Sequence, residues 1–436
     1  KANGFLADYI LVFLLVGTGL FFSFKTKFIQ VRAFGEGMKN VFGKLSLKGD
    51  KQESGMSGFQ ALCTAIAAQV GTGNIVGSSG AILTGGPGAI FWMWIIAFLG
   101  MSTIYAEAVL AQKTRVIKDG EVFGGPVYYI THAFKGGLGK FLAGFFAIAI
   151  TIALGFFGCM VQSNSIGSTI ETAFGIPGWI VGIVLVVICA MIFIGGTQRL
   201  ASVTEKLVPI MAAIFLAGGL VVLAIRIKYL PETFGLIFKY AFQPQAIIGG
   251  AFGMAIKTAI SQGAKRGLFS NEAGMGSTPH AHAQANVAHP HDQGVVAMIG
   301  VFIDTFIVLT LTALVIISTG AWNSGLTGAA LAQSAFCSVF GEFGNIFIAI
   351  CMLFFAFSTI IGWYFFGETN VKSLLGQKYV KIYSVIVCLF IAVGSCLKVD
   401  LVWNMTDMFN GLMVLPNLLA LLALSKVVST ISKEKD

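Results

Sequence analysis

Charge is scarce in this chain. Only 11% of its 436 residues are Asp, Glu, Lys or Arg, and 56% are hydrophobic. A soluble domain carries about 25% charged residues, so the deficit excludes one. The short alternating segments of a β-barrel are also missing. The apolar runs are long and continuous, which makes the class a polytopic α-helical membrane protein. The seven cysteines (Cys63, Cys159, Cys189, Cys337, Cys351, Cys388 and Cys396) contain no CxxC pair. Most lie inside apolar runs and read as small buried residues. The net charge of +9 does not point to nucleic acid. The basic residues sit in short clusters flanking the apolar runs, as the positive-inside rule expects. The first run, near 6–24, has no small-residue cleavage motif ahead of the basic stretch, so it reads as a retained span and not a signal peptide.

At roughly twenty apolar residues per crossing, eleven spans are expected. They lie near 6–24, 58–83, 88–112, 138–172, 176–196, 203–226, 246–282, 294–319, 343–367, 380–398 and 400–425. The fourth and seventh are long for one crossing, so each either tilts or includes a partial extra helix. With the N-terminus outside, the inner segments 25–51, 113–140, 199–206, 372–381 and 426–436 hold 7, 5, 2, 3 and 3 Lys or Arg residues, 20 of the chain's 28. That bias places the N-terminus out and the C-terminus in. Segment 25–51 sets Phe28, Ile29, Val31, Phe34, Met38, Val41 and Phe42 among basic residues, the pattern of an amphipathic interfacial helix.

Two spans are interrupted. The centre of 58–83 reads Gly71-Thr72-Gly73-Asn74, and the seventh span ends in Asn271-Glu272-Ala273-Gly274-Met275-Gly276-Ser277. Glycine and asparagine weaken a helix where lipid demands unbroken hydrogen bonding. Such backbone survives at membrane depth only where protein buries it or a cavity uses it. Freed carbonyls can bind a cation, and freed N–H groups at a half-helix N-terminus can bind an anion. The ten spans after the first fall into two sets of five, each opening with a broken span. An odd number per set inverts the second set in the membrane, with a binding site expected at the midplane. A rival position for the second break is Gly249-Gly250-Ala251-Phe252-Gly253, which would move the Asn271 motif inward.

Three motifs carry a family resemblance: Gly71-Thr72-Gly73-Asn74-Ile75-Val76-Gly77, Gly124-Gly125-Pro126-Val127-Tyr128-Tyr129-Ile130 and Phe269-Ser270-Asn271-Glu272-Ala273-Gly274-Met275-Gly276-Ser277. Together they resemble the alanine/glycine:cation symporter family, of the amino acid–polyamine–organocation superfamily, over nearly the whole chain. The resemblance implies an all-α polytopic membrane protein of eleven transmembrane helices. Its LeuT-type 5+5 inverted repeat would occupy spans 2–11, preceded by one extra N-terminal helix. The expected units are 1–51 (N-terminal helix and interfacial segment), 52–230 and 231–425 (the repeats) and 426–436 (a cytoplasmic tail). The function implied is sodium-coupled uptake of small neutral amino acids such as alanine and glycine. The protein would lie in the cell membrane as a monomeric functional unit, with the amino acid, the sodium ion and the lipid bilayer as its partners.

Carried onto these residues, the pattern places the substrate carboxylate on the backbone N–H groups of Gly71, Thr72 and Gly73, helped by the dipole of the half-helix that follows. Carbonyls of the first break, and those near Phe269 and Ser270, are the natural acceptors for the amine. A packing kink with close helix approach is the competing reading of Gly71–Asn74. Asn74 becomes a cation or substrate ligand with Asn271 as its counterpart, against a plain interhelical hydrogen bond worth about 1 kcal/mol. Ser358 and Thr359 match a sodium-ligand position, with the carbonyls of Ala67, Val70 and Phe355 completing the sphere. A hard cation prefers such oxygens, although Ser and Thr also bond back to their own helix. Gln162 lines the site in the long fourth span. Phe269 and Trp363 either wall the substrate or simply pack.

Lys265, Arg266 and Glu272 are ionisable residues in a span and are functional candidates by default. Arg266 and Glu272 either form a gate, or Arg266 sits near the outer mouth. Glu107, Asp304 and Asp407 are isolated acids, expected to pair between helices or sit at span ends, with proton coupling through Asp304 a minor reading. His280, His282, His289 and His291 lack a paired Cys or carboxylate set and read as a solvated loop near the inner face. A sodium-independent or proton-coupled exchanger is the nearest alternative. An ion channel would need rings of like elements around a pore, and an enzyme a nucleophile–base pair or metal cluster that the site lacks.

Overall fold

The computed structural model describes residues 10–43, 55–118, 120–243, 252–397 and 399–434. The start of the first expected span, the end of the interfacial segment and Gly249, Gly250 and Ala251 lie outside these residues. The elements in chain order are α1 (Val12–Lys25), α2 (Phe34–Phe42), α3 (Gly58–Gln69), α4 (Ser78–Gly85), α5 (Gly88–Thr114), a hairpin of β1 (Val116–Lys118) and β2 (Glu121–Phe123), and α6 (Pro126–Ala133). Then come α7 (Gly136–Phe174), α8 (Gly178–Phe193), α9 (Gly196–Ile225), α10 (Leu230–Phe242), α11 (Phe252–Asn271), α12 (Pro279–Gln284) and α13 (Pro290–Ser318). The chain ends with α14 (Gly328–Phe340), α15 (Phe343–Leu375), α16 (Val380–Gly394), α17 (Val399–Ala423) and α18 (Ser425–Lys433).

Among the described residues, seven stretches are long and apolar enough to cross a membrane: α5, α7, α9, α13, α15, Gln377–Gly394 and Val402–Ala423. The helices α1, α8 and α14 are apolar but shorter. Burial separates an inner set from an outer one. The apolar windows of α5, α13 and α15 are 72% buried, whereas those of α9 and Gln377–Gly394 are 33% and 22% buried. The inner set therefore packs around the breaks while the outer helices turn Ile210, Leu220, Val385 and Leu389 outward.

Several expected spans differ in detail. The 58–83 run is not one helix. A capping box starts α3, with Gln60 N–H donating to Ser57 Oγ and Ser57 N–H to Gln60 Oε1, both at 3.1 Å. The helix ends at Gln69, and a π-type turn over Gly73–Gly77 leads into α4. The long fourth span holds no extra helix; α7 runs through 39 residues with a wide turn at Thr151–Gly158. The seventh run stops at Asn271, and its continuation is only the short α12. Phe252–Asn271 is helical, so the second break lies at 272–278 and not at the glycines preceding it. Helices α10 and α14 were not among the expected spans. In the interfacial segment, α2 buries Val41 and stacks Phe34 edge-on against Phe302.

Candidate functional site

The first break follows from where two N–H groups go. In an unbroken helix, Gly71 N–H and Thr72 N–H would donate to the carbonyls of Ala67 and Ala68. Here Gly71 N–H donates to Asn74 Oδ1 at 2.9 Å and Thr72 N–H to Gln162 Oε1 at 3.1 Å. The released Ala67 carbonyl accepts from Thr359 Oγ1 at 2.9 Å and Ser358 Oγ at 3.3 Å. Thr359 Oγ1 also lies 3.5 Å from the Val70 carbonyl and 3.0 Å from that of Phe355, and Ser358 Oγ is 2.8 Å from Phe355. The five residues named as sodium ligands, Ala67, Val70, Phe355, Ser358 and Thr359, therefore converge, all buried. The backbone can pass this close only because residue 71 is glycine. A Cβ there would collide with Thr359 Oγ1 and lie 3.2 Å from Gln162 Oε1. Gln162 spends its oxygen on Thr72, and its Nε2 is buried with no protein partner.

The second break is built differently. Glu272, Gly274 and Gly276 have φ of 58°, 89° and 80°, which turns the chain sharply. A left-handed conformation costs a non-glycine residue about 1–2 kcal/mol, and Glu272 is held there from both ends of its carboxylate. Trp363 Nε1 donates to Oε1 and Ser277 Oγ to Oε2, each at 2.5 Å. The N–H groups of Gly274 and Gly276 donate to the two oxygens of Glu107 at 3.0 and 2.9 Å. Asn417 Nδ2 reaches Glu107 at 2.7 Å and the Gly274 carbonyl at 2.9 Å, and Tyr129 hydroxyl donates to Asn417 Oδ1 at 2.5 Å. The Gly124–Ile130 motif thus reaches the second break through Tyr129. Chain pattern gave no sign of this, since its partner Asn417 is 288 residues away.

The two breaks touch. Gln69 Nε2 donates to the Asn271 carbonyl at 2.7 Å, and a Cβ on Gly73 would lie 3.1 Å from Ser270 Cα. Both asparagines reach consecutive residues of α13. Asn74 Nδ2 donates to Asp304 Oδ1 at 2.6 Å, and Asn271 Nδ2 to Thr305 Oγ1 at 3.3 Å. Phe269 stands perpendicular to Trp363, ring centres 5.5 Å apart, and lies 4.6 Å from Trp403. A Cβ on Gly158 would meet the Trp363 ring at 2.5 Å, so the indole is wedged from behind.

Arg266 and Glu272 do not pair. Arg266 forms a two-point contact with Asp407 at 3.1 and 3.3 Å and lies over Trp403 at 4.6 Å. The three isolated acids do join helices: Asp407 to α11, Glu107 to the second break, and Asp304 to both breaks. The histidine reading is overturned. His280, His282 and His291 are buried. His280 bonds to the Ser277 carbonyl and to Asn370, His282 to Gln293, and His291 to Tyr105. Helices α12 and α13 fold these residues inward, so this is not a solvated loop. Among the described residues no group of three or more His, Cys, Asp or Glu could hold a metal.

Two broken helices meeting among buried polar groups, inside a bundle of long apolar helices, define a membrane transporter. The chain belongs to the sodium:alanine symporter family, whose profile it matches over residues 1–435. It is 41% identical to the sodium/alanine symporter AgcS of Methanococcus maripaludis, over 99% of this chain and 95% of that one. It is also 41% identical to the probable sodium/glutamine symporter GlnT of Bacillus subtilis, covering 99% and 89%. The crystal structure of MhsT in complex with L-phenylalanine has the same LeuT-type fold, with a TM-score of 0.60 at 13% identity, covering 86% of this chain and 97% of that one.

Proposed function

We propose that this protein is a secondary-active symporter that couples inward sodium movement to uptake of small neutral amino acids by alternating access. The observation that carries the reading is the convergence of the Ala67, Val70 and Phe355 carbonyls with the Ser358 and Thr359 hydroxyls at the first break. Five neutral oxygens suit a hard monovalent cation, and Met211 Sδ reaches the edge of the cluster at Ser358 Oγ, 3.4 Å away. For sodium to sit there the two hydroxyls turn their O–H bonds away from the carbonyls they now satisfy, so occupancy of the site and the shape of the break are linked.

The amino acid lies beside that site. Its carboxylate meets the N–H groups of Gly71, Thr72 and Gly73 and the unpartnered Gln162 Nε2. Its amine meets carbonyls of the breaks, with Asn74 and Asn271 fixing their spacing. Phe269 and Trp363 wall the side chain. Glu272 and Gly158 pin Trp363, so the wall does not retreat for a larger residue, which favours alanine and glycine over glutamine. The eleven-helix count, the two five-helix repeats at 52–230 and 231–425, the cytoplasmic C-terminus, the cell membrane and the monomeric unit belong to this same proposal.

The test is radiolabelled alanine uptake into proteoliposomes. Accumulation with an inward sodium gradient, and none when potassium replaces sodium, is the expected result. Equal uptake in both would make the protein an exchanger and remove the role of Ser358 and Thr359.

A further inference from the structure

We propose that the groove between α8 and α16 is a binding site for one membrane phospholipid whose headgroup carries a primary ammonium, as in phosphatidylethanolamine. Lys378 and Lys381 hold the phosphate, Glu368 takes the ammonium, and the groove takes an acyl chain. The inference does not depend on the symporter reading, because no residue of either break lines this groove.

Two helices that touch at one end only leave a wedge between them. Near the start of α8, Gly178 and Gly182 let Ser395, just past the end of α16, come so close that a Cβ on either glycine would collide with it. Towards the opposite ends of both helices lies a cavity of about 1230 Å³, which runs on to the β-hairpin and the end of α15. Its walls along the helices are apolar: Val186, Ala190 and Ile194 on one side, Val385, Leu389 and Ala392 on the other. Ile194, Val385 and Leu389 are exposed, and the last two lie inside the apolar stretch Gln377–Gly394. The groove therefore opens to the bilayer. From Lys381 to Ala392 it follows α16 for about 16 Å at about 1.5 Å per residue. That is the depth of one leaflet, half of a hydrocarbon core of about 30 Å.

The mouth of the groove is charged where a headgroup sits. Lys378 and Lys381 line it at the start of the apolar stretch, and among the described residues neither forms an ion pair. Lysines at that level attract lipid phosphate. Glu368 and Glu121 line the same mouth. Glu368 is buried and spends Oε1 on Lys372 at 3.0 Å, while its Oε2 has no hydrogen-bond partner. A buried charged oxygen left without a donor is costly, and a primary ammonium brings three donors. A choline headgroup has no N–H to give, and a glycerol headgroup brings no positive charge. A free phosphate compound leaves the apolar walls uncovered. Bases for a phosphate, an acid for an amine and a leaflet-deep apolar groove together select the lipid. Seated there, it braces α15 against α16 and the start of α9.

The test follows the melting of purified, detergent-solubilised protein on addition of dioleoyl phosphatidylethanolamine, phosphatidylglycerol or phosphatidylcholine, or of soluble phosphoethanolamine. Wild-type protein should be stabilised most by phosphatidylethanolamine, and not by phosphoethanolamine at the same concentration. The double variant Lys378→Ala/Lys381→Ala, altered only at exposed positions, should need at least about tenfold more phosphatidylethanolamine for half-maximal stabilisation. Glu368→Gln should respond equally to phosphatidylethanolamine and phosphatidylcholine. Equal stabilisation of wild-type by all three lipids, or phosphatidylglycerol matching phosphatidylethanolamine, would overturn the site. So would phosphoethanolamine acting as well as the lipid, or a double variant that titrates like wild-type. Should E368Q fail to fold, the lysine variant and the lipid series still decide.

Discussion

At residues 71 and 72 the orphaned backbone N–H groups are taken by neutral amides, Asn74 for Gly71 and Gln162 for Thr72. At 272–278 the N–H groups of Gly274 and Gly276 are taken by a carboxylate, Glu107, itself braced by Asn417 and Tyr129. Glu107 gathers three donors on its two oxygens, whereas each amide oxygen at the first break takes one N–H. The second break is thus tied down by its own protein, with both glycines in left-handed conformations that need no ligand. The first is held by partners that a ligand can replace at modest cost. On the proposed symporter reading, the contrast would put most of the rearrangement on binding at the first break and the fixed frame at the second.

The sharpest way to break that comparison is Gly71→Ala. The added methyl collides with Thr359 inside the proposed sodium cluster, so uptake should fall to background while the protein still reaches the membrane. Active G71A would mean that the close approach is unimportant. Thr359→Ala comes next. It removes the hydroxyl shared by three carbonyls and should raise the sodium concentration for half-maximal uptake by about 10–100-fold, roughly 1.4–2.8 kcal/mol. A sodium titration of initial rates reads this directly.

Glu107→Gln probes the other side of the contrast. Glutamine has one acceptor oxygen where two N–H groups and the Asn417 amide converge, so about 1–3 kcal/mol of stability should be lost. Detergent-solubilised protein should melt lower, while its sodium titration stays at the wild-type midpoint. Lost sodium affinity with unchanged melting would reverse the two roles. The smallest effect is expected for Arg266→Lys. Lysine keeps the charge beside Asp407 but loses the two-point contact and the flat stack on Trp403. Partly exposed pairs of this kind contribute about 1 kcal/mol or less, so uptake should change no more than a few-fold.

Much of this was legible along the chain. The deficit of charge gave the membrane class, and the glycines at 71, 73, 274 and 276 marked both interruptions, because helix propensity and hydropathy are local properties. The proposed sodium cluster was named from Ser358 and Thr359 only with the help of family resemblance. Adjacent hydroxyls in a helix most often bond to their own backbone, and here they do so as well as reaching α3. The histidines misled. Four of them near two prolines look like a polar loop, and nothing local reveals that α12 and α13 bury three.

The sequence by itself determined that the chain spans a membrane in long apolar helices and that two of these must break, since lipid offers no partner to a backbone weakened by glycine. Only the tertiary structure decided which groups repair each break. Gln162 stands 90 residues from Thr72, Glu107 stands 167 from Gly274, and Asn74 stands 230 from Asp304. Pairings at such separations are set by how whole helices pack, and a buried amide or carboxylate accepts whichever donor that packing presents.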